Sequence, residues 1–193
     1  APDRRDRSQR LTVALGSLAQ HGVERDNQGR VLVTLRPDPP YHYGDALRLT
    51  GASPAPSDWR EAWSALVRHQ PALRTGLSAA ADGTVRLHTL PADDANLHIP
   101  FELVYAADER EAGRFLHEQT SLPFDLSCPP LARAGLIRLA DSAAPLFWFV
   151  LHHAMADGMS ATQIQQDLLT LLGGGKLAPA IDGPRLASRA EQA

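Results

Sequence analysis

The chain is poor in cysteine, in excess charge and in long apolar runs, and each absence excludes a class of protein. Its single cysteine, Cys128, rules out an internal disulfide, and we expect this thiol to pack inside a protein of the reducing cytoplasm. The formal net charge is −3 and no basic groove is visible, which argues against nucleic acid as a partner. The apolar stretch at 146–151 is too short to cross a membrane, and no charged-then-apolar leader stands at the start.

Motifs for phosphate and metal binding are also missing. The sequence contains no glycine-rich phosphate loop, no repeat, and no metal-type cluster of cysteine and histidine beyond the adjacent pair His152 and His153. Adjacent histidines in a strand-to-loop turn rarely ligate one metal, so we predict no metal site. With 193 residues, 44% of them hydrophobic, the chain is long enough to form one sizeable core.

The most informative segment is an apolar, β-prone run at 146–151 that leads directly into the two histidines. A helix is predicted to start near Ser160, so both imidazoles lie at the C-terminal end of a buried strand. A histidine fixed there can accept a proton near neutral pH. Asp157 can hold the loop through an ion pair, or can simply be favourable near a helix N-terminus. Gly158 indicates that the backbone has an unusual conformation here or that another group approaches it closely. Together these features favour a functional loop.

Hydrophobic spacing along the chain predicts a mixed sheet with helices packed on it, an α/β sandwich. Helices are predicted at residues 8–20, 107–120 and 161–172, and a further helix begins at Asp58 and Glu61 and buries Trp59 and Trp63. Isolated strands are predicted at residues 46–50, 85–89, 97–104, 132–139 and 145–151. A hairpin is predicted from residues 23–26 and 30–35, and Pro residues at 37–40 form a rigid break.

Three stretches carry a resemblance to one family. Residues 152–158, His-His-Ala-Met-Ala-Asp-Gly, resemble the HHxxxDG signature of condensation domains of nonribosomal peptide synthetases, which are chloramphenicol-acetyltransferase-like acyltransferases. Residues 66–75 resemble the segment LVxRHPALRT of that family, and residues 123–138 resemble its PFDL…PLxRAxLxR. The three agree with the family in order and spacing, and the resemblance covers residues 41 to 172.

The chain also departs from the family pattern. His69 and Gln70 stand before Pro71 where the family has arginine and histidine, and the arginine lies one place earlier at Arg68, so the role of the family's arginine is not carried over. Arg74 keeps its matched place. We infer that Arg74, or a neighbouring cation, pairs with the aspartate of the signature to brace the loop; the alternative is a solvated cation at a helix end. The usual Ser-x-x-Gln opening is not recognisable in residues 1–40.

The resemblance implies one lobe of a two-lobed fold. The complete fold is more than twice as long as this chain, and its reaction centre lies in a tunnel to which the second lobe supplies a bridging strand and a floor. We expect residues 41–175 to be the N-terminal lobe and residues 176–193 to be a linker or tail. Residues 1–40 would be a divergent start of the lobe or a partial docking segment. Because the chain begins with Ala1, we expect an excised piece or one part of a split protein.

The resemblance also implies the chemistry, an acyltransferase reaction of antibiotic biosynthesis. Donor and acceptor carrier proteins would present a thioester and an amine on phosphopantetheine arms, with no bound cofactor. His153 would accept a proton or hold the amine, His152 would orient the loop, and Gly158 would admit the arm or the donor carbonyl. The lobe would be inactive without its C-terminal partner lobe. An upstream synthetase subunit could bind through residues 1–36.

Two other functions remain open. The same tetrad could serve ester formation, epimerisation or acyl transfer from coenzyme A in a related acyltransferase. Alternatively, the lobe or its first 36 residues could be a non-catalytic docking module that recruits a synthetase or carrier protein. The intact tetrad favours an enzyme, whereas the absence of half the tunnel favours docking for the isolated chain.

Overall fold

A mixed five-stranded sheet forms the centre of the protein. The computed structural model describes residues 12–13, 23–25, 31–33, 42–50, 54–79, 85–155 and 158–180. Within these residues, the order of the strands across the main sheet is β1 (Thr12–Val13), β4 (His42–Thr50), β9 (Leu146–His152), β8 (Ala132–Leu139) and β7 (Phe101–Ala106). Neighbouring strands are antiparallel except for β7 and β8, which are parallel. In the part of the chain that the structure describes, two further antiparallel strand pairs lie outside this sheet: β2 (Val23–Arg25) with β3 (Val31–Val33), and β5 (Thr75–Ala79) with β6 (Val85–Thr89).

Among the described residues, three helices accompany the sheet, and local capping explains where they begin and end. They are α1 (Pro56–His69), α2 (Glu109–Ser121) and α3 (Gly158–Leu172), and a 3₁₀ turn (Pro71–Arg74) follows α1. Asp58 accepts a hydrogen bond from the Ala55 N–H at 3.0 Å, and Asp108 caps α2 by accepting one from the Glu111 N–H at 2.8 Å. After α3, Gly174 adopts a φ of 76°, which glycine reaches without steric cost.

The core lies on both faces of the sheet, and β9 contributes to both. On one face, called the α1/α3 face, Phe147 and Phe149 pack under these two helices, and Trp59 stacks on Phe147 at 5.0 Å between ring centroids. On the opposite face, called the α2 face, Trp148 packs edge to face with Phe115 of α2 at 5.1 Å. The alternation of side chains along a strand therefore divides the continuous apolar run between two cores.

The structure confirms the predicted α/β class and many of the elements. Strands β6 and β8 have the predicted bounds, the hairpin of β2 and β3 forms, and Trp59 and Trp63 are fully buried. No helix among the described residues is long and apolar enough to span a membrane.

Several expectations were wrong. Thr12–Val13 is a strand paired with β4, although a helix was predicted across it, and the rest of that predicted helix lies outside the described residues. Strand β4 begins at His42 rather than at residue 46, because pairing with β9 extends it through a polar start that carries no apolar signal. Strand β7 is shifted towards the C-terminus, to 101–106, and β5 was not predicted. Cys128 is exposed, not packed inside.

Candidate active site

The two adjacent histidines at the end of β9 contact opposite faces of the sheet. His152, the last residue of the strand, lies near His42 and Phe124 beside α2. His153 instead lies near Tyr43, a residue that packs against the core of the α1/α3 face. This separation follows from the alternation of the strand. Neighbours in sequence therefore occupy two different environments.

His152 is half-buried, in surroundings that disfavour its charged form. Its ring meets that of His42 at 5.3 Å and that of Phe124 at 6.1 Å, and its Nδ1 accepts a hydrogen bond from the Ala154 N–H at 3.1 Å. Burial lowers the pKa of His152, and the nearby charges of His42 and His153 lower it further. A ring whose Nδ1 accepts a hydrogen bond from the loop backbone is suited to shaping the loop.

His42 connects this site to the end of α2. In the β4–β9 pairing it stands opposite His152, and its Nδ1 lies 2.6 Å from the carbonyl oxygen of Thr120. Two residues after His42, Gly44 allows β4 to approach α2 closely, because a Cβ at this position would lie 2.3 Å from Thr120 Cγ2. Sequence reasoning missed His42 because its partners are distant in the chain and its own strand start is polar.

His153 is exposed at the start of the loop, with an aromatic neighbour on one side. Its ring and that of Tyr43 are 6.5 Å apart between centroids and nearly perpendicular, at 82°. Tyr43 is half-buried and packs in turn against Phe149, at 6.1 Å. An imidazole placed in this way is accessible to a substrate while one side of the ring faces the protein.

A buried carboxyl group lies behind Tyr43. The side chain of Asp45 is fully buried; it accepts hydrogen bonds from Tyr43 Oη at 3.1 Å, from Gln165 Nε2 at 2.6 Å and from the Ala46 N–H at 2.8 Å. Burial raises the pKa of Asp45 to about 7, although these three hydrogen bonds oppose the rise. Asp45 and Gln165 were not predicted as site residues, because an isolated acid and an isolated amide carry no motif.

The loop itself is described in part. The Met155 N–H donates to the carbonyl oxygen of His152 at 3.0 Å, which turns the chain away from the strand. Asp157 lies outside the described residues, and Gly158 is the first residue of α3. The predicted roles of both residues therefore stay predictions.

Arg74 is buried rather than solvated, so the alternative of a solvent-facing cation at a helix end is wrong. Its side chain is 8% exposed; Nε donates to the Arg68 carbonyl at 3.1 Å, and Nη1 donates to the Leu90 carbonyl. Close by in sequence, Gln70 donates from Nε2 to Asp167 of α3 at 2.8 Å. The segment after α1 is thus tied to the helix that follows the loop.

Within the part of the chain that the structure describes, no group of three or more histidine, cysteine, aspartate and glutamate side chains is suited to hold a metal ion. The loop presents the exposed imidazole of His153. Tyr43 lies beside this ring, and the hydrogen-bonded side chains of Asp45 and Gln165 lie behind Tyr43. Such an imidazole can accept a proton from, or donate a hydrogen bond to, a bound reactant.

Comparison with known proteins identifies similar sequences among large synthetases. A family model described as condensation domain matches residues 41–177. Tyrocidine synthase 3 of Brevibacillus parabrevis is 37% identical over 119 residues, which cover 61% of this chain and 2% of that protein. Phosphinothricin tripeptide synthetase PhsC of Streptomyces viridochromogenes is 35% identical over 139 residues, which cover 69% of this chain and 12% of that protein. The chain thus spans a small fraction of these relatives.

Solved structures agree with these sequence matches. The SgcC5 protein from Streptomyces globisporus superposes with a TM-score of 0.61 at 30% identity, over 79% of this chain and 36% of that one. The first condensation domain of the calcium-dependent antibiotic synthetase superposes with a TM-score of 0.67 at 20% identity, over 79% of this chain and 38% of that one, which shows a shared fold. The matched region is little more than a third of each solved chain.

Proposed function

Since this chain belongs to the condensation-domain family of nonribosomal peptide synthetases and is an N-terminal portion of such a domain, we propose that it takes part in amide bond formation between two carrier-bound substrates. The acceptor amine attacks the carbonyl carbon of the donor thioester, so a C–N bond forms and the C–S bond breaks. The proton of the attacking nitrogen passes to His153 or to water and from there to the departing thiolate, so the phosphopantetheine thiol of the donor is the second product.

The observation that carries this proposal is the unequal placement of the two histidines. His153 is exposed at the end of β9, where a reactant can reach it, whereas His152 is packed between His42 and Phe124. His153 therefore accepts the proton of the attacking amine, or holds that amine in line with the carbonyl and stabilises the tetrahedral species. His152 orients the loop through its bond with the Ala154 N–H.

The remaining residues of the signature support the loop. Asp157 braces it through an ion pair with Arg74 or a neighbouring cation, and Gly158 admits the phosphopantetheine arm or the donor carbonyl to the backbone. The buried position of Arg74 supports this role, because its guanidinium is already held by two backbone carbonyls and needs little further ordering.

The partners follow from the same proposal. Donor and acceptor carrier proteins present both substrates on phosphopantetheine arms, and the domain holds no cofactor of its own. Residues 41–175 form the N-terminal lobe, and a second lobe supplies the rest of the tunnel and is required for activity. Residues 1–36 contact an upstream synthetase subunit, and residues 176–193 act as a linker.

The test is a condensation assay with loaded donor and acceptor carrier proteins, in which mass spectrometry measures the amide product. The protein is assayed with its second lobe present, as wild type and as His153→Ala, and the matched control His98→Ala removes another exposed histidine. General acid–base catalysis contributes about 10²–10⁴-fold, but proximity supplies part of the rate, so we expect a loss of at least about tenfold for His153→Ala. Unchanged turnover would remove His153 from the mechanism.

Ester formation is the second candidate. The solved SgcC5 structure is a complex with (R)-(-)-1-(2-naphthyl)-1,2-ethanediol, a molecule that offers hydroxyl groups and no amine. The same exposed imidazole could activate a hydroxyl group by the same proton transfer. Offering amine and alcohol acceptors in parallel separates the two reactions, and an ester as the main product would favour this candidate.

A non-catalytic docking role is tested by binding. If residues 1–36 recruit a synthetase subunit or a carrier protein, their deletion abolishes that binding. Binding that survives the deletion argues against this version of docking.

A further inference from the structure

Asp45 is an ionisable group in an environment that disfavours its charge. Its neighbours on the α1/α3 face of β4 are apolar, and Leu47 and Leu49 continue the same face into the core. A carboxyl group there costs stability unless hydrogen bonds compensate for the lost water. Asp45 accepts three such bonds, two of them from the side chains of Tyr43 and Gln165. Satisfied polar networks of this kind hold their members in one arrangement.

The network connects the two sides of the loop that carries His153. On the strand side of the loop, the ring of Tyr43 contacts that of His153. The ring of Tyr43 also packs against Phe149. Gln165 belongs to α3, the helix that begins on the other side of the loop, and its amide reaches Asp45 at 2.6 Å across 120 residues of sequence. Strand β4 therefore contacts both segments that flank the loop.

We propose that Tyr43, Asp45 and Gln165 form a clamp that fixes the loop at both ends and so sets the direction of the His153 imidazole. These three are positioning residues, because none of them is placed against the reacting atoms. The inference rests on the proposed function of His153. An exposed histidine at the start of a loop has several side-chain rotamers, and a ring pinned beside it removes some of them. A base must lie within hydrogen-bonding distance of the proton that it accepts, so the clamp acts on turnover rather than on substrate binding.

The test combines a spectroscopic measurement with kinetics on the full-length protein, with the second lobe present. The ¹H–¹³C signals of the His153 imidazole are assigned from their loss in His153→Ala and are then followed in Tyr43→Leu and Gln165→Leu. Tyr105→Leu, which changes a tyrosine that is 71% exposed, and Gln166→Leu, the exposed neighbour on α3, are matched controls. Condensation kinetics are measured for the same set.

We expect Tyr43→Leu and Gln165→Leu to shift or broaden the His153 signals and to lower kcat about tenfold, with KM within about twofold of wild type. The two controls should leave both readouts unchanged. If a leucine variant fails to fold, two conservative variants provide the test in its place. Asp45→Asn keeps a planar hydrogen-bonding group and should retain most of kcat, whereas Tyr43→Phe keeps the ring but loses the bond to Asp45 and should fall between wild type and Tyr43→Leu.

Failure of the clamp and failure of the proposed role of His153 give different results. Unchanged His153 signals and unchanged kcat in all clamp variants, with activity still lost in His153→Ala, would overturn the clamp alone. Full condensation activity in His153→Ala, with the His153 signals still displaced in Tyr43→Leu, would overturn the proposed role of His153 and leave the positioning of its ring by the clamp standing.

Discussion

The rings of His42 and His152 meet edge to face at 5.3 Å, directly across the pairing of β4 with β9. This contact makes His152 part of the packing between the sheet and α2, because His42 in turn lies 2.6 Å from the Thr120 carbonyl. The first histidine of the pair is thus half-buried and packed against His42 and Phe124, whereas the second is exposed.

The first prediction is that His152→Ala destabilises the protein and His153→Ala does not. Removal of the His152 ring opens space beside His42 and Phe124 and leaves the exposed Ala154 N–H to water, so the loss in unfolding free energy should be about 0.5–3 kcal/mol. The exposed His153 should stay within about 0.5 kcal/mol of wild type. Urea unfolding at pH 8 measures both, and equal losses would contradict this assignment.

The second prediction concerns acid. The pKa of His152 is lowered in the folded state by burial and by His42 and His153, so the unfolded chain binds a proton at a higher pH than the folded one. The contribution of His152 is fully present above its unfolded pKa of about 6.5 and is lost as the pH falls below that value. A His152→Gln variant, compared with wild type by urea unfolding from pH 8 to pH 5, should lose less stability over this window. If the two proteins give parallel curves of unfolding free energy against pH, His152 does not cause the loss of stability in acid.

The third prediction is the opposite dependence at Asp45. Burial raises its pKa from 3.8 to about 7, so the folded state keeps a proton that the unfolded state has already released. This contribution is complete below pH 3.8 and declines as the pH rises to about 7, with a slope of at most about 1.4 kcal/mol per pH unit. Asp45→Asn should remove that slope. We therefore expect the variant to become more stable relative to wild type as the pH rises from 4 to 7.5, as measured by the unfolding free energies of both proteins. A difference that stays constant over this range would contradict the role assigned to Asp45.

The fourth prediction uses two glycines. At Gly44 an added Cβ would lie 2.3 Å from Thr120 Cγ2, so Gly44→Ala forces β4 and α2 apart and should cost about 1–3 kcal/mol. Gly113→Ala is the matched control: Gly113 is inside α2 with no atom within 4 Å of its added Cβ, and it should gain about 0.5–1 kcal/mol from helix propensity. Thermal or urea unfolding measures both. Equal effects would show that the close approach at Gly44 is not rigid.

The fifth prediction tests the proposed brace between Arg74 and Asp157. A double-mutant cycle with Arg74→Met and Asp157→Asn should give a coupling energy of about 0.5–3 kcal/mol in unfolding or in transition-state stabilisation. Arg74→Met alone should also destabilise the fold, because the carbonyls of Arg68 and Leu90 lose their donor. Strict additivity of the two substitutions would show that Arg74 does not pair with Asp157.

Much of the architecture could be predicted because its signals are local. The apolar run of β9, the spacing of Trp59 and Trp63 along α1, and the bounds of β8 each depend on residues close together in sequence. The failures have a common cause. The polar start of β4 and the short strand β1 are strands because of their pairing partners, and a single-sequence pattern does not contain those partners.

The sequence by itself determined the α/β class, the strand that ends in two histidines, and the family to which the chain belongs, because periodicity and motif spacing are properties of contiguous residues. Only the tertiary structure decided what surrounds each imidazole. Pairing of β4 with β9 brings His42 to His152 and Tyr43 to His153, and the packing of α3 brings Gln165 to Asp45 across 120 residues. Contacts between such distant segments arise when the sheet assembles and its faces are covered, and no local pattern of residues specifies them.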